Sequence, residues 1–118
     1  MATLSIRIDL APDQRIGPGK IKLLENIAAL GSIAAGGRAL GMSYRHAWLL
    51  IDELNSMFGQ PVVVSRTGGA KGGGAALTPL GLSIVARYRA IEQAAAAAAQ
   101  NHIVALDTEF TVRRKTRR

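Results

Sequence analysis

The sequence contains no cysteine and few aromatic residues, with one tryptophan, two tyrosines and two phenylalanines in 118 positions. The absence of cysteine excludes disulfide bonds, zinc–thiolate sites and cysteine nucleophiles, and it suits a reducing compartment. No apolar run approaches the roughly 18 residues that a membrane-spanning helix requires, and no signal-peptide pattern follows Met1. We therefore expect a cytoplasmic protein with no membrane partner, whose core is built mainly from Ala, Leu, Ile and Val.

Positive charge is plentiful but unevenly distributed along the chain. Lysine and arginine number 15 against 8 acidic residues, giving a net charge of +7, and such an excess predicts an anionic partner. Five of the 15 basic residues lie within positions 113–118, and without them the net charge is only +2. Charge alone is therefore a weak indication of DNA binding. We expect residues 1–112 to form one domain and residues 113–118 to form a basic, disordered tail.

Turn and capping residues divide the first half of the chain into short elements. Alternating apolar residues predict a strand over residues 4–10. A helix is predicted between the glycine–proline turn at 17–19 and Gly31. Two further helices are predicted over residues 32–40 and 43–58, each opened by a serine N-cap.

The second half combines a glycine-rich loop with a long helix. Residues 62–65 and 75–78 predict a hairpin around the glycine-rich loop 67–74. A helix is expected from about residue 80 to 106, followed by a short strand over 109–113. Three helices, a hairpin and a long helix in this order predict a mainly α (α+β) fold: a winged helix-turn-helix with a β-hairpin wing and a long C-terminal dimerisation helix.

The long predicted helix carries an apolar repeat with alternating spacings of four and three residues, which is the pattern of a coiled-coil seam. The residues of this seam are Ile84, Tyr88, Ile91, Ala95 and Ala98. A helix of roughly 40 Å is too long to be covered by so small a body. The sequence therefore predicts a homodimer joined along this helix.

The candidate DNA-binding residues lie at the start of the third predicted helix and in the hairpin. A helix that follows a tight turn at Gly41 and an N-cap at Ser43 directs its first turn outward, where it can enter a major groove. Arg45 can pair with guanine or a phosphate, and Tyr44 with a phosphate or a thymine methyl group. Trp48 lies one position from the inward stripe, which favours the outer face over the alternative of a core aromatic. The remaining candidates are basic: Arg38, Arg66 and Lys71.

Other classes of function find less support. A Walker-type phosphate loop ends in Gly-Lys-Ser/Thr, whereas Lys71 is followed by glycine. The 2 histidines and 8 carboxylates are scattered, so no catalytic set is present and we expect no enzyme activity. Two alternatives to a sequence-specific regulator stay open, namely a non-specific architectural DNA-binding protein that relies on the basic tail, and a protein-interaction module.

Three segments carry a family resemblance: SIAAGGRALGMSYRHAW over residues 32–48, DELN over 52–55, and the loop TGGAKGGGA over 67–75. Together they resemble the DNA-binding half of the ModE family of molybdate-responsive regulators, and the helix-turn-helix alone is more distantly similar to LysR-type regulators. The resemblance covers about residues 16–100. It implies a winged-helix dimer that binds a pseudo-palindromic operator in double-stranded DNA, with Tyr44, Arg45 and Trp48 on the recognition helix and Arg66 and Lys71 in the wing.

The same resemblance bears on cofactors. Full-length regulators of this family continue into C-terminal oxyanion-binding domains that sense molybdate, and a chain that ends at Arg118 has no room for them. We therefore expect no cofactor and no molybdate site within these residues.

Overall fold

Two small antiparallel sheets and four helices alternate along the described part of the chain. The structure, a computed structural model, describes residues 1–66 and 74–116 and measures 60 × 30 × 23 Å. The elements before the glycine-rich loop are β1 (Ile8–Ala11), β2 (Gln14–Ile16), α1 (Pro18–Leu30), α2 (Ile33–Arg38), α3 (Tyr44–Phe58) and β3 (Val63–Arg66). Those after it are β4 (Gly74–Leu77) and α4 (Pro79–Thr116). This order confirms the predicted fold class of a mainly α winged helix-turn-helix with a hairpin and a long C-terminal helix.

Helix α1 forms the centre of the core. Pro18 occupies its first turn, and Gly31 ends it in the left-handed conformation at φ 76°, where its N–H donates to the carbonyl of Ile27 at 2.8 Å. The other helices, Ile16 of β2 and the segment of the second hairpin supply the rest of the apolar cluster. The largest fully buried side chains of this cluster are Ile21, Leu23, Leu24, Ile27, Ile51, Leu54, Val62 and Tyr88.

The helix-turn-helix is formed by α2, the turn after it, and α3. Ser32 caps α2, and its Oγ accepts the N–H of Ala35 at 2.9 Å. The turn passes through Gly41 at φ 72°, a left-handed conformation that favours glycine. Ser43 then caps α3 and accepts the N–H of His46 at 3.0 Å. Both predicted serine caps and the predicted glycine turn are thus confirmed.

The N-terminal strand is shorter than predicted. The observed strand covers residues 8–11 and pairs with β2, with Ile8 opposite Ile16. The turn between the two strands places Asp13 at φ 62°. The predicted strand over 4–10 was therefore wrong in its first half, although the apolar alternation has a physical basis, because Ile6 and Ile8 pack against the core. The phenol of Tyr88 donates to the carbonyl of Ile6 at 2.8 Å and holds this irregular segment on α4.

Helix α4 is longer than predicted. It continues to Thr116, so the predicted strand over 109–113 is wrong, and residues 113–116 of the predicted disordered tail are helical. Residues 117–118 lie outside the described part of the chain. The alternation at 109–113 is too short to specify a strand without a partner, while the preceding alanine run strongly favours helix. The hydroxyl groups of Thr108 and Thr111 donate hydrogen bonds to the backbone carbonyls of Val104 and Asp107, four residues earlier, at 3.0 Å each.

Among the described residues of α4, only those in its first part are buried against the rest of the fold. Ile84 and Tyr88 are buried, whereas none of residues 91–114 is buried. We call residues 92–116 the α4 arm. Within the described residues, no helix is both long and apolar enough to cross a membrane.

Candidate nucleic-acid interface

Two glycines of α2 set how closely the helices of the helix-turn-helix approach one another. A Cβ atom at Gly36 would lie 3.0 Å from the backbone nitrogen of Ile27, and one at Gly37 would lie 2.9 Å from the Cβ of Ala47. These distances leave no room for a larger residue on this side of α2. Helix α2 is therefore clamped between α1 and α3, and the position of α3 depends on glycine at both sites.

Helix α3 presents a polar and aromatic first turn to solvent. Its inner face buries Ala47, Ile51 and Leu54, and this apolar stripe fixes the rotation of the helix about its axis. The side chain of Tyr44 is 59% exposed, and Arg45 is also exposed. The Ser43 cap starts the helix at this point, so the capping residue and the exposed turn form one unit.

Trp48 lies between the two alternatives that the sequence suggested, an outer-face residue and a core aromatic. It is half-buried and packs against the core cluster. Its outer edge meets Tyr44, with ring centroids 6.4 Å apart and planes at 85°, which is a favoured edge-to-face contact. Trp48 therefore supports Tyr44 from below and also contributes surface to the outer face of α3.

Two shallow depressions flank Trp48. The first depression is lined by Ser43, Arg45, His46, Trp48, Leu49 and Asp52. The second depression joins α2, α3 and the β3–β4 hairpin, and its polar members are Ser32, Tyr44, Ser65 and Arg66. The predicted residues Ser43, Arg45 and Trp48 meet in the first depression, and Tyr44 and Arg66 meet in the second. The structure thus brings the start of α3 and the base of the wing onto one surface.

Sequence reasoning missed four polar residues of this surface, namely Ser32, His46, Asp52 and Ser65. Ser32 was recognised only as a helix cap, while Ser65 and Asp52 were not singled out as members of the site. Because Ser65 precedes Arg66 at the end of the predicted strand, its place beside the loop was a usable signal. Asp52 follows Arg45 by seven positions, about two helical turns, so this spacing was also a usable signal that both line the same face of α3.

The basic residues of the chain fall into two groups by their partners. Among the side chains that the structure describes, Arg38, Arg45 and Arg66 form no ion pair. All three are exposed. By contrast, ion pairs with carboxylates engage Arg7, Arg15, Lys20 and Arg89. The predicted DNA contacts Arg38, Arg45 and Arg66 are therefore available to an anion, although Lys22 and Arg87 are also exposed and form no ion pair among the described side chains.

Side-chain hydrogen bonds fix the base of the hairpin beside α3. The Oδ1 of Asn55 accepts the N–H of Val62 at 2.8 Å, and the hydroxyl of Thr78 donates to the carbonyl of Pro61 at 2.9 Å. The strands pair from Val63 opposite Leu77 to Arg66 opposite Gly74. Arg66 is thereby held at the mouth of the loop. The predicted wing residue Lys71 lies outside the described residues.

The predicted dimer seam divides into two groups. Ile84 and Tyr88 are 7% and 1% exposed within a single copy of the chain, and burial raises the pKa of the Tyr88 phenol. These two residues belong to the chain's own core, so their assignment to a dimer seam is corrected. Ile91 and Ala98 are exposed and Ala95 is half-buried, and they stay candidates for contact with a partner.

Comparison with known proteins finds a family match over the part of the chain that forms this surface. The family model for bacterial regulatory helix-turn-helix proteins of the lysR family matches residues 19–82, which is more than half of the chain and runs from α1 into the start of α4. This segment contains the helix-turn-helix, the exposed turn of α3 and both depressions.

Curated relatives are similar over a longer stretch. Molybdenum-pterin-binding protein MopB of Rhodobacter capsulatus is 44% identical over 66% of this chain and 29% of its own length. MopA of the same organism is 40% identical over 80% of this chain and 35% of its own. The DNA-binding transcriptional dual regulator ModE of Escherichia coli K12 is 38% identical over 79% of this chain and 34% of its own length. The chain spans about a third of the length of these relatives.

Proposed function

The chain belongs to the bacterial regulatory helix-turn-helix proteins of the lysR family, and from this premise we propose that it is a transcriptional regulator that binds double-stranded DNA sequence-specifically as a homodimer. The observation that carries the proposal is the exposed first turn of α3. There Arg45 has no ion-pair partner among the described residues. It lies beside the aromatic pair of Tyr44 and Trp48, whose exposure does not stabilise the folded monomer. The similarity to regulators supports the same role.

In the proposed complex the first turn of α3 enters the major groove. That groove is wide enough to admit a helix, and its base edges distinguish all four base pairs. Arg45 is suited to bidentate contact with guanine O6 and N7. Leu49, which is 50% exposed in the same depression, offers an apolar surface for a thymine methyl group. Tyr44 donates its hydroxyl to a phosphate or packs against a base edge.

The second depression is suited to the DNA backbone. Its hydroxyl groups come from Ser32 and Ser65, and its positive charge comes from Arg66. Contacts of this kind fix the register of a protein on the duplex without reading sequence. Arg38 at the end of α2 and Lys71 in the loop are proposed as further phosphate contacts. Specificity would then come from α3, and much of the affinity from the surrounding cations.

The homodimer is proposed because of the α4 arm, where Val104 and Leu106 are 53% and 70% exposed within the described part of a single copy. Two copies would present their α3 helices to successive major grooves about 34–36 Å apart. We propose a non-enzymatic role in the bacterial cytoplasm, where such a DNA partner is found. The absence of a cofactor from these residues stays a prediction.

The decisive experiment removes the proposed base contact. DNA sites are first selected from a random duplex pool with the parent protein, and the Arg45→Ala variant is then compared on them. We expect the free energy of binding to become less favourable by about 1–3 kcal/mol, and the preference at one base position to relax. The matched control is Lys22→Ala, which also removes one exposed cation but from α1. This control should bind and discriminate as the parent does.

Two outcomes would contradict the proposal. If Arg45→Ala binds the selected sites as tightly as the parent does, α3 does not read bases through this residue. If selection yields no preferred site, and removal of residues 113–118 abolishes most of the affinity, the architectural alternative is correct. Failure to bind any duplex at low salt would instead favour the protein-interaction module.

A further inference from the structure

A third depression lies beside α3, between that helix, the start of α1 and the segment that leads into β1. Its polar and charged members are Ser5, Arg7, Arg15, Lys20 and His46, and the described residues that line it include no carboxylate. The first depression, by contrast, places Asp52 beside Arg45. The composition of the third depression therefore suits an anion.

The rotation of α3 places the second and third depressions on opposite sides of Arg45. At 3.6 residues per turn, Trp48 lies about 60° to one side of Arg45 and His46 about 100° to the other side. Trp48 lines the second depression together with Arg66, and His46 lines the third. The exposed turn of α3 thus has positive charge on both of its flanks.

The register of the β1–β2 hairpin directs its basic residues away from the core. Ile8 pairs with Ile16, and both pack into the apolar cluster. Asp9 pairs with Arg15, and because side chains alternate between the two faces of a strand, this pair lies on the outer face. Arg7 reaches the same face, where its Nε lies 3.1 Å from Oδ1 of Asp9.

Ion pairing leaves two of these cations accessible to a ligand. Both side chains in the ion pairs of Arg7 and Arg15 are about half exposed or more, and pairs of that kind contribute little stability. A phosphate can accept two hydrogen bonds from a guanidinium and so replace such a partner. Lys20 differs, because its side chain is only 13% exposed and its Nζ lies 3.3 Å from Glu53 and 2.9 Å from the carbonyl of Arg15. We therefore assign ligand contacts to Arg7 and Arg15.

A helix that lies in a major groove meets phosphates of both DNA strands. The groove is about 12 Å wide, and a helix with its side chains is about 10–12 Å across. Each flank of α3 therefore faces one strand. In the complex proposed above, the second depression with Arg66 takes one strand, and the other strand passes the third depression.

We propose that the third depression binds phosphates of the DNA strand on the side of α3 opposite the β3–β4 hairpin, with Arg7 and Arg15 as charged contacts and His46 as a hydrogen-bond donor. The inference rests on the proposed DNA-binding function and assigns a site to the second strand. Contacts to phosphate carry no sequence information. This site therefore adds affinity and fixes the placement of α3 in the groove.

The assignment of His46 makes DNA binding dependent on pH. Histidine ordinarily changes its charge between pH 5 and 8, and a protonated imidazole attracts a phosphate more strongly than a neutral one. Arginine, lysine and aspartate ordinarily keep their charges over this range. The charged residues that line the two depressions with His46 are all of these types, namely Arg7, Arg15, Lys20, Arg45 and Asp52.

The first test removes one phosphate contact without changing the net charge. The Arg7→Gln/Asp9→Asn double variant loses one positive and one negative charge, both from side chains that are more than half exposed, so its circular dichroism should match that of the parent. Affinity for a site selected with the parent should fall about threefold to tenfold, and the slope of log affinity against log salt should become shallower by about 1. Base preference should not change. The control Asp9→Asn keeps Arg7 and should bind at least as tightly as the parent.

The second test uses the two histidines of the chain. Affinity of the parent for its selected site should rise by about threefold or more between pH 8 and pH 5.5. His46→Gln should remove most of this rise. The matched control is His102→Gln, because His102 is also exposed but lies in the α4 arm, and this variant should keep the rise.

The outcomes separate this inference from the function proposed above. If the double variant keeps the affinity and salt slope of the parent, or if its base preference changes, the third depression is not a phosphate site. If the pH dependence survives in His46→Gln, the role of His46 is wrong. In each of these cases a relaxed base preference of Arg45→Ala would leave the proposed function standing. A parent chain that binds no duplex would overturn both.

Discussion

The body of the molecule and the α4 arm contain the same kinds of apolar residue in opposite environments. Leu54 in the body is fully buried, whereas Leu106 in the arm is 70% exposed. Nothing in the side chains themselves accounts for this difference. In the body each apolar stripe meets another helix or hairpin of the same chain, whereas the arm projects past every other element. The body therefore has the means to fold alone, whereas the arm has exposed apolar side chains that the proposed homodimer would cover.

The largest expected effect comes from removing side-chain volume in the body. Ile51→Ala leaves a cavity on the inner face of α3 and should lower the free energy of unfolding by about 2–5 kcal/mol. Ile51 is 1% exposed, so the surrounding core has little freedom to collapse into the space. Urea denaturation monitored by helical circular dichroism, at one fixed protein concentration, measures the change.

The corresponding truncation in the arm sharpens the contrast. Val104→Ala removes apolar atoms from an exposed position and should change the free energy of unfolding by no more than about 0.5 kcal/mol. Equal losses for Ile51→Ala and Val104→Ala would show that the arm contributes to the core as the body does. That result would remove the distinction between the two regions.

A smaller effect is expected where helices meet through glycine. Gly37→Ala places a methyl group 2.9 Å from the Cβ of Ala47 and should cost about 1–3 kcal/mol through overpacking. Because the clash displaces α3, Gly37→Ala should weaken binding to a selected DNA site even when the protein is fully folded. Binding is therefore measured under conditions where the variant remains folded.

Gly19→Ala is the matched control for that substitution. Gly19 also lies in a helix, but nothing stands within 4 Å of a Cβ placed there. The added helix propensity should stabilise the protein by about 0.5–1 kcal/mol. If both glycine variants gained stability, the close packing of α2 against α3 would be wrong.

Local signals in the sequence predicted most of the body correctly. The serine caps at 32 and 43, together with the left-handed glycines at 31 and 41, place α1, α2 and α3 almost to the residue. These signals are local because a cap depends on hydrogen bonds within one turn of the helix. The exposed turn of α3 was predicted for the same reason, since its rotation follows from the stripe of Ala47, Ile51 and Leu54.

Features that depend on distant contacts were not predictable in the same way. The periodicity of Ile84 and Tyr88 is compatible with either a dimer seam or an internal core, and only the position of α1 and β1 decides between them. Strand β2 is three residues long and leaves almost no pattern of its own. The extension of α4 through residues 109–116 was hidden because a short alternating run fits both a strand and an exposed helix.

A further small effect concerns the contact that joins the first part of α4 to α1. The guanidinium of Arg89 donates to both carboxylate oxygens of Glu25, at 2.7 and 2.9 Å, and also to Glu92 at 2.6 Å. Hydrogen bonding by Arg89 lowers the pKa of Glu25, although partial burial opposes the shift. Glu25→Gln should therefore cost up to about 1 kcal/mol at neutral pH, since the pair is about one-third exposed.

The pH dependence of that loss gives the sharper test. Because the pKa of Glu25 is lower in the folded chain, its contribution to stability is complete above the unfolded pKa of about 4.3 and is lost as the pH falls through the folded value. Parent and Glu25→Gln should thus differ at pH 7 and converge in acid urea titrations. Asp52→Asn serves as the control, since Asp52 forms no ion pair among the described side chains. A difference that persisted unchanged at pH 3 would mean that Glu25 holds α4 through packing, not through its charge.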